Sequence, residues 1–96
     1  MPQLTIIAHI HAHADQTDFV KIELLKIVAP TLAEEGCLNY DLHQDNEDPA
    51  HFFFYENWAS RDLWQKHMES DHLAAFQEKT DGSIDKVVLH EMSPVK

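Results

Sequence analysis

Along "LTIIAHIHAH", Leu4, Ile6, Ala8, Ile10 and Ala12 alternate with Thr5, Ile7, His9, His11 and His13. This period of two predicts a half-buried strand. The period then lengthens. Asp15 and Thr17 are cap candidates, and Val20, Leu24, Ile27, Val28 and Thr31 recur at helical spacing from about Asp18, with Gly36 as the stop. Pro30 lies inside this helix and is expected to kink it, because proline has no backbone N–H.

"CLNYDLHQ" and "HFFFYENW" predict two further strands, joined by the turn "DNEDPA". Ser60 is expected to cap a short helix running to about Met68, and Ser70 a second one, "DHLAAFQEK", closed by Gly82. "DKVVLHEM" is the last strand. The order β-α-β-β-α-β, with its second helical segment in two pieces, predicts an α+β fold of ferredoxin-like type, one antiparallel sheet with helices on one face. Leu38, Tyr40 and Leu42 alternate with Cys37 and Asn39, while Phe52, Phe53, Phe54 and Tyr55 run without alternation. Strands apolar on both sides are normally buried on both sides. A second copy of the chain is therefore the expected cover for the bare face, giving a homodimer.

Length and charge narrow the function. Ninety-six residues make a single expected domain, 1–96, with no repeat or linker. Seven Lys and Arg stand against 17 Asp and Glu, a net charge of −10. That field repels phosphates and anionic headgroups, so neither nucleic acid nor a membrane is an expected partner. No apolar run approaches the roughly 18 residues a membrane span needs, and "MPQLTIIAHI" is not expected to act as a signal peptide. A single cysteine, Cys37, rules out an internal disulfide framework and favours a reducing cytoplasm.

His9, His11 and His13 share one strand face, with neighbours about 7 Å apart at a rise of about 3.3 Å per residue. One ion could be shared only with help from another strand, such as from His90. The bland alternative is partly exposed histidines with one facing a pocket, and no metal site is expected. The segment "YENWASRDLWQKHMESDHLAAF" is richer. Trp64 and His67 are i, i+3 neighbours, and His72 and Phe76 are i, i+4 neighbours, so each pair shares a helix face. Such aromatic residues are ordinarily core, yet an apolar cavity with a few polar groups is also what a small-molecule site requires. Nothing activates Cys37, and with only Gly36 and Gly82 there is no phosphate loop.

At "LTIIAHIHAHADQ", "VAPTLAEEGCLNYDLHQDNEDPAHFFFYENWAS" and "HMESDHLAAF" the chain resembles the antibiotic biosynthesis monooxygenase family, in particular its small quinol-monooxygenase-like members. The resemblance implies a dimeric α+β barrel with sheets packed face to face and a pocket between sheet and helices in each subunit. It also implies oxidation of aromatic quinols by dioxygen without metal, flavin or haem. Trp58 matches the family's strand-end tryptophan. Phe54 and Trp64 stand where polyketide-modifying members carry Asn and Tyr, and Phe76 stands where haem-degrading relatives carry the axial His. His67 and His72 match the quinol-oxidising members. They also match a relative that isomerises a phosphorylated signalling sugar, as do Asp41, Tyr55 and Glu56.

These considerations name His67 or His72 as the base that takes a phenolic proton, with His9 projecting into the same pocket. A histidine suits this role because its pKa lies close to working pH. Trp58, Trp64, Phe54 and Phe76 are the expected aromatic walls, and Tyr40, Asn39, Tyr55 and Glu56 complete the expected substrate contacts. His11 and His13 are expected to be mainly exposed. The alternatives are a cofactorless isomerase of a small carbonyl compound, and a non-catalytic ligand-binding stress-response dimer.

Overall fold

The alternation of the first strand is reproduced residue by residue. In β1 (Leu4–Ala12), Leu4, Ile6, Ala8, Ile10 and Ala12 are buried, and the residues between them are half-buried. A computed structural model describes residues 3–95 of the chain; of the domain expected over 1–96, residues 1, 2 and 96 lie outside the described residues. β1 sits inside a four-stranded sheet with β2 (Cys37–Gln44), β3 (His51–Trp58) and β4 (Ile84–Met92), in the order β2-β3-β1-β4. Every pairing is antiparallel. With α1 (Thr17–Leu32), α2 (Arg61–Met68) and α3 (Asp71–Lys79), this is the expected ferredoxin-like α+β arrangement.

Helix α1 buries Val20, Leu24, Ile27 and Thr31 against the sheet, where Ile6, Phe52, Phe54 and Trp58 meet them. Each fully buried side chain of this size contributes about 1.5–3 kcal/mol. Two local expectations are corrected. Neither Asp15 nor Thr17 caps α1; a 3-10 turn over Ala14–Gln16 leads in, and the Thr17 hydroxyl donates back to the Ala14 carbonyl at 3.0 Å. Pro30 sits in the last turn of the helix, which runs on to Leu32, so the donor proline lacks is lost from a turn that is ending anyway. Ser60 accepts from the Leu63 N–H at 3.3 Å as a cap should, but Ser70 makes no cap bond and lies 3.4 Å from His72 Nε2 instead.

Gly36 closes the turn between α1 and β2 at φ +85°, and a Cβ there would run into the Leu63 side chain. This close approach draws α2 against the end of α1. On the sheet face away from the helices lie Ile7, His9 and His11 of β1, with Phe53 and Tyr55 of β3 and Val88 and Met92 of β4. Tyr55 is 42%, Val88 38% and Met92 46% exposed in the single chain.

Candidate functional site

Two turns of chain bring together groups far apart in sequence. Glu34 lies just past the end of α1, His67 in the last turn of α2, and His72 in the first turn of α3. His67 Nδ1 donates to Glu34 Oε2 at 2.6 Å, and His72 Nε2 lies 3.0 Å from the same oxygen. The buried Thr31 hydroxyl is 3.1 Å from His72 Nε2. A carboxylate beyond a helix C-terminus works against the helix dipole. Here the two imidazoles offset that cost.

A cavity of about 290 Å³ opens between the helices and the sheet, lined mainly by apolar groups from β1, β4, α1 and α3. Its polar lining includes Tyr40, Glu56 and His67. The His67 ring rests against Trp58 with centroids 4.7 Å apart and meets Tyr40 edge-on at 5.4 Å, while Tyr40 stacks on Phe54 at 4.2 Å. Trp58 Nε1 donates to Glu56 Oε1 at 3.0 Å. Since a carboxylate only accepts, neutral His67 carries its proton on Nδ1 and presents a bare lone pair on Nε2. His67 is only 2% exposed, yet among the described residues no fully buried side-chain polar atom lacks a partner. Nε2, which makes no bond to protein, therefore faces the cavity.

Burial pushes the His67 pKa down, and the Glu34 carboxylate pulls it part of the way back. Burial pushes Glu56 up to about 7, with the charge on Glu34 adding to the effect and the Trp58 bond opposing it. Burial raises the Tyr40 phenol as well, so Tyr40 stays a donor. Cys37 is held at about 11, chiefly by burial, and its thiol is not a nucleophile at neutral pH.

Of the residues named from sequence, Tyr40, Phe54, Glu56, His67 and Phe76 line this one cavity. Trp58 is fully buried behind His67, and Trp64 packs in the core with the Arg61 guanidinium 5.8 Å from its ring. Neither Trp is among the residues facing the cavity. His72 meets the same Glu34 oxygen as His67 and lines a small groove beside Lys26 and Lys79. His9 does not project into the pocket: it has the strand parity of Ile7, opposite that of Ala8, and lies on the bare face. Asn39, Asp41 and Tyr55 share that face; Asn39 spends its side chain on Asp41, the Tyr55 carbonyl and Asn57. His13 is exposed, but His11 is half-buried and stacks on His51 at 4.4 Å.

Glu34 was absent from the sequence-based set. Its one local signal was an acid placed where a helix end disfavours it. The donor atoms of Glu34, His67 and His72 lie within 4.8 Å of one another, a set of types that suits a transition metal. However, ligands about 2.0–2.1 Å from a common ion sit roughly 3 Å apart, and His67 Nδ1 is 2.6 Å from Glu34 Oε2. The spacing is that of a hydrogen-bonded acid–base relay.

A family model described as antibiotic biosynthesis monooxygenase matches residues 3–79. The solved structure of PA3566 from Pseudomonas aeruginosa is 31% identical, superposes with a TM-score of 0.95, and covers 100% of this chain and 97% of its own. The Mycobacterium tuberculosis protein named "Putative monooxygenase Rv0793" is 29% identical over 69 residues, 72% of this chain and 67% of that protein. The protein sll1783 of Synechocystis sp. is 27% identical over 59 residues, which is 62% of this chain but only 40% of the Synechocystis protein.

Proposed function

We propose that this chain, which belongs to the antibiotic biosynthesis monooxygenase family, oxidises a quinol or similar small electron-rich aromatic with dioxygen, using His67 as the base. The observation that carries the proposal is the 2.6 Å Glu34–His67 bond, which leaves Nε2 bare towards an apolar cavity. The volume stands just below the range of about 300–1,000 Å³ typical of ligand pockets, which suits a molecule of one or two rings.

Dioxygen reacts slowly with a quinol because spin must change. Transfer of a phenolic proton to His67 Nε2 yields a phenolate, a far better one-electron donor. The phenolate gives an electron to dioxygen, the radical pair collapses to a ring peroxide anion, and His67 returns its proton to make the hydroperoxide. Transfer of the remaining hydrogen on the peroxidised carbon to His67 Nε2 as a proton then breaks the O–O bond and expels hydroxide, which leaves as water with that same proton. One oxygen atom enters the ring as a hydroxyquinone, and the quinol supplies all four electrons. No resident cofactor is needed in this scheme. Tyr40 and the aromatic rings hold the substrate and exclude water.

A second copy across the bare sheet face completes the proposal, supported by the exposed Tyr55, Val88 and Met92, and a cytoplasmic setting suits the free Cys37. Among the described residues no helix is long and apolar enough to cross a membrane. One observation favours a second reading: Glu56, held near 7, gives the cavity another group able to exchange protons at neutral pH. Proton transfer at both Glu56 and His67 would suit isomerisation of a small carbonyl compound. Oxygen uptake with a panel of quinols decides. Uptake that depends on His67 is the expected result, and hydrogen exchange into a hydroxyketone without uptake would favour the isomerase.

A further inference from the structure

The cavity that holds His67 does not end under the helices. Its floor is a row of residues that face one another across the sheet: Phe54 of β3 pairs with Ala8 of β1, and Ala8 pairs with Leu89 of β4. Ile10 pairs with Val87 further along the same two strands. All five line the cavity. Ala8 offers only a methyl group between the larger Phe54 and Leu89, which leaves the floor low at its middle.

Exposure changes along this row. At the β2–β3 end, Tyr40, Phe54, Glu56 and His67 are buried. At the β4 end, Leu89 is 42% and Val87 53% exposed, and Gln77 and Asp81 of the same lining are exposed too. β4 is an edge strand paired only with β1, and every residue in it after Ile84 is exposed. The cavity is therefore closed round the base and open at the sheet edge. Strands lie about 4.8 Å apart, so β4 stands about 10 Å from the strand of Phe54 and about 14 Å from that of Tyr40. A single ring with its hydroxyl on His67 Nε2 covers only part of that distance. Two apolar side chains then continue the path into solvent, where an edge strand ordinarily carries charge. A second copy on the bare face leaves them open, because Val87 and Leu89 have the parity of Ile10 and Ala8 while Val88 and His90 face the other way.

We propose that the substrate of this pocket carries an uncharged hydrocarbon chain, which runs from the ring over Ala8 and leaves the protein along Val87 and Leu89. The inference rests on the quinol reading of the cavity and adds to it the class of substituent. The enclosed volume of about 290 Å³ takes the ring and the start of the chain. Val87 and Leu89, about 7 Å apart along the strand, give the rest a short apolar strip. Asp81 at the mouth and the net charge of −10 disfavour a carboxylate or phosphate on the chain. The two side chains touch the substituent and not the reacting atoms, so they set specificity. Contacts this far from the reaction are made equally in the ground and transition states, and chain length should act on KM rather than kcat.

Two series of ligands, each running from methyl to heptyl, test this on the full chain. Monoalkylquinols report turnover as oxygen uptake. Meta-alkylphenols keep one hydroxyl and the chain but lack the second hydroxyl needed to form a quinone, and report binding alone by calorimetry. A fully buried methylene is worth about fourfold in affinity, and in a groove open on one side we expect about twofold. Pentylphenol should then bind roughly fifteenfold tighter than methylphenol, with the quinol KM falling in parallel. Leu89→Asp should flatten both series, and Val87→Asp serves in its place if the thermal melt shows that Leu89→Asp does not fold. A phenol with a carboxylate at the end of its chain should bind no tighter than methylphenol. A flat phenol series in the wild type, a gradient that survives in a folded Asp variant, or tight binding of the carboxylate chain would overturn the proposal. A gradient in phenol binding with no oxygen uptake from any quinol would instead overturn the oxidation and leave the chain-binding groove standing.

Discussion

The two faces of the sheet use the same side chain in opposite ways. On the covered face, His67 stands in an aromatic well and has a carboxylate for a neighbour, 2.6 Å away. On the bare face, His9, His11 and His51 have mainly one another, and the one carboxylate, on Asp45, reaches only the outermost ring of the chain His9–His51–Asp45. Both settings fix a tautomer and leave one nitrogen lone pair bare. The difference lies in what that lone pair faces. The Nε2 of His67 opens into an apolar cavity; near His9 lies another imidazole, that of His90, with ring centroids 6.0 Å apart. Burial and partner, not residue type, set what each histidine can do.

The sharpest way to break this contrast is to remove the covered histidine. His67→Ala should lower turnover by roughly 10² or more, as expected on loss of a general base, measured as oxygen uptake with whichever quinol the wild type accepts. Next comes Glu56. Its carboxyl is raised from 4.5 to about 7 in the fold, so folding favours its neutral form. The stability this provides is fully present below about pH 4.5 and is lost as pH rises through 7. Urea unfolding at about pH 5 and pH 8 should show wild type losing on the order of 3 kcal/mol to this group. Glu56→Gln, which can still accept from Trp58, should show no such loss.

Glu34→Gln is expected to act more gently, lowering turnover about tenfold through poorer orientation of the imidazole. Its signature is a pH shift. Glu34 holds the His67 pKa up against burial, so its loss should move the rising limb of the kcat/KM profile to lower pH; a limb that stays put would mean another group is the base. At the bottom of the scale lies His13→Ala, on an exposed residue just past the end of β1. It should change stability by no more than about 0.5 kcal/mol and leave oxygen uptake as it was. A larger effect would mean that the two faces are coupled.

Every strand and helix was legible in the chain, because alternation and helical spacing are local properties and the apolar sets on β1 and α1 are the sets that became buried. The placement of His9 was legible too, though it was read otherwise: the apolar Ala8 and Ile10 had to face the helices, so His9 could not. Glu34 is another matter. It meets His67 and His72 across 33 and 38 residues of sequence, and only the turn at Gly36 and the packing of Leu63 against it set that meeting. Local patterns carry no information about such a contact. The caps show the same limit on a smaller scale, for Ser60 and Ser70 precede similar short helices, and only the nearby His72 ring distinguishes them.

The indole of Trp58 has a further use. Its N–H is tied to a carboxyl that titrates near 7, and its ring is packed on His67. An indole's emission responds to charge at its nitrogen and to quenching by a protonated imidazole. The protein therefore carries its own fluorophore just behind the cavity wall, in contact with both Glu56 and His67. With Trp64 replaced by Phe to silence the other emitter, the colour and intensity of Trp58 would follow the ionisation of Glu56 and the arrival of a ligand in real time, without any label.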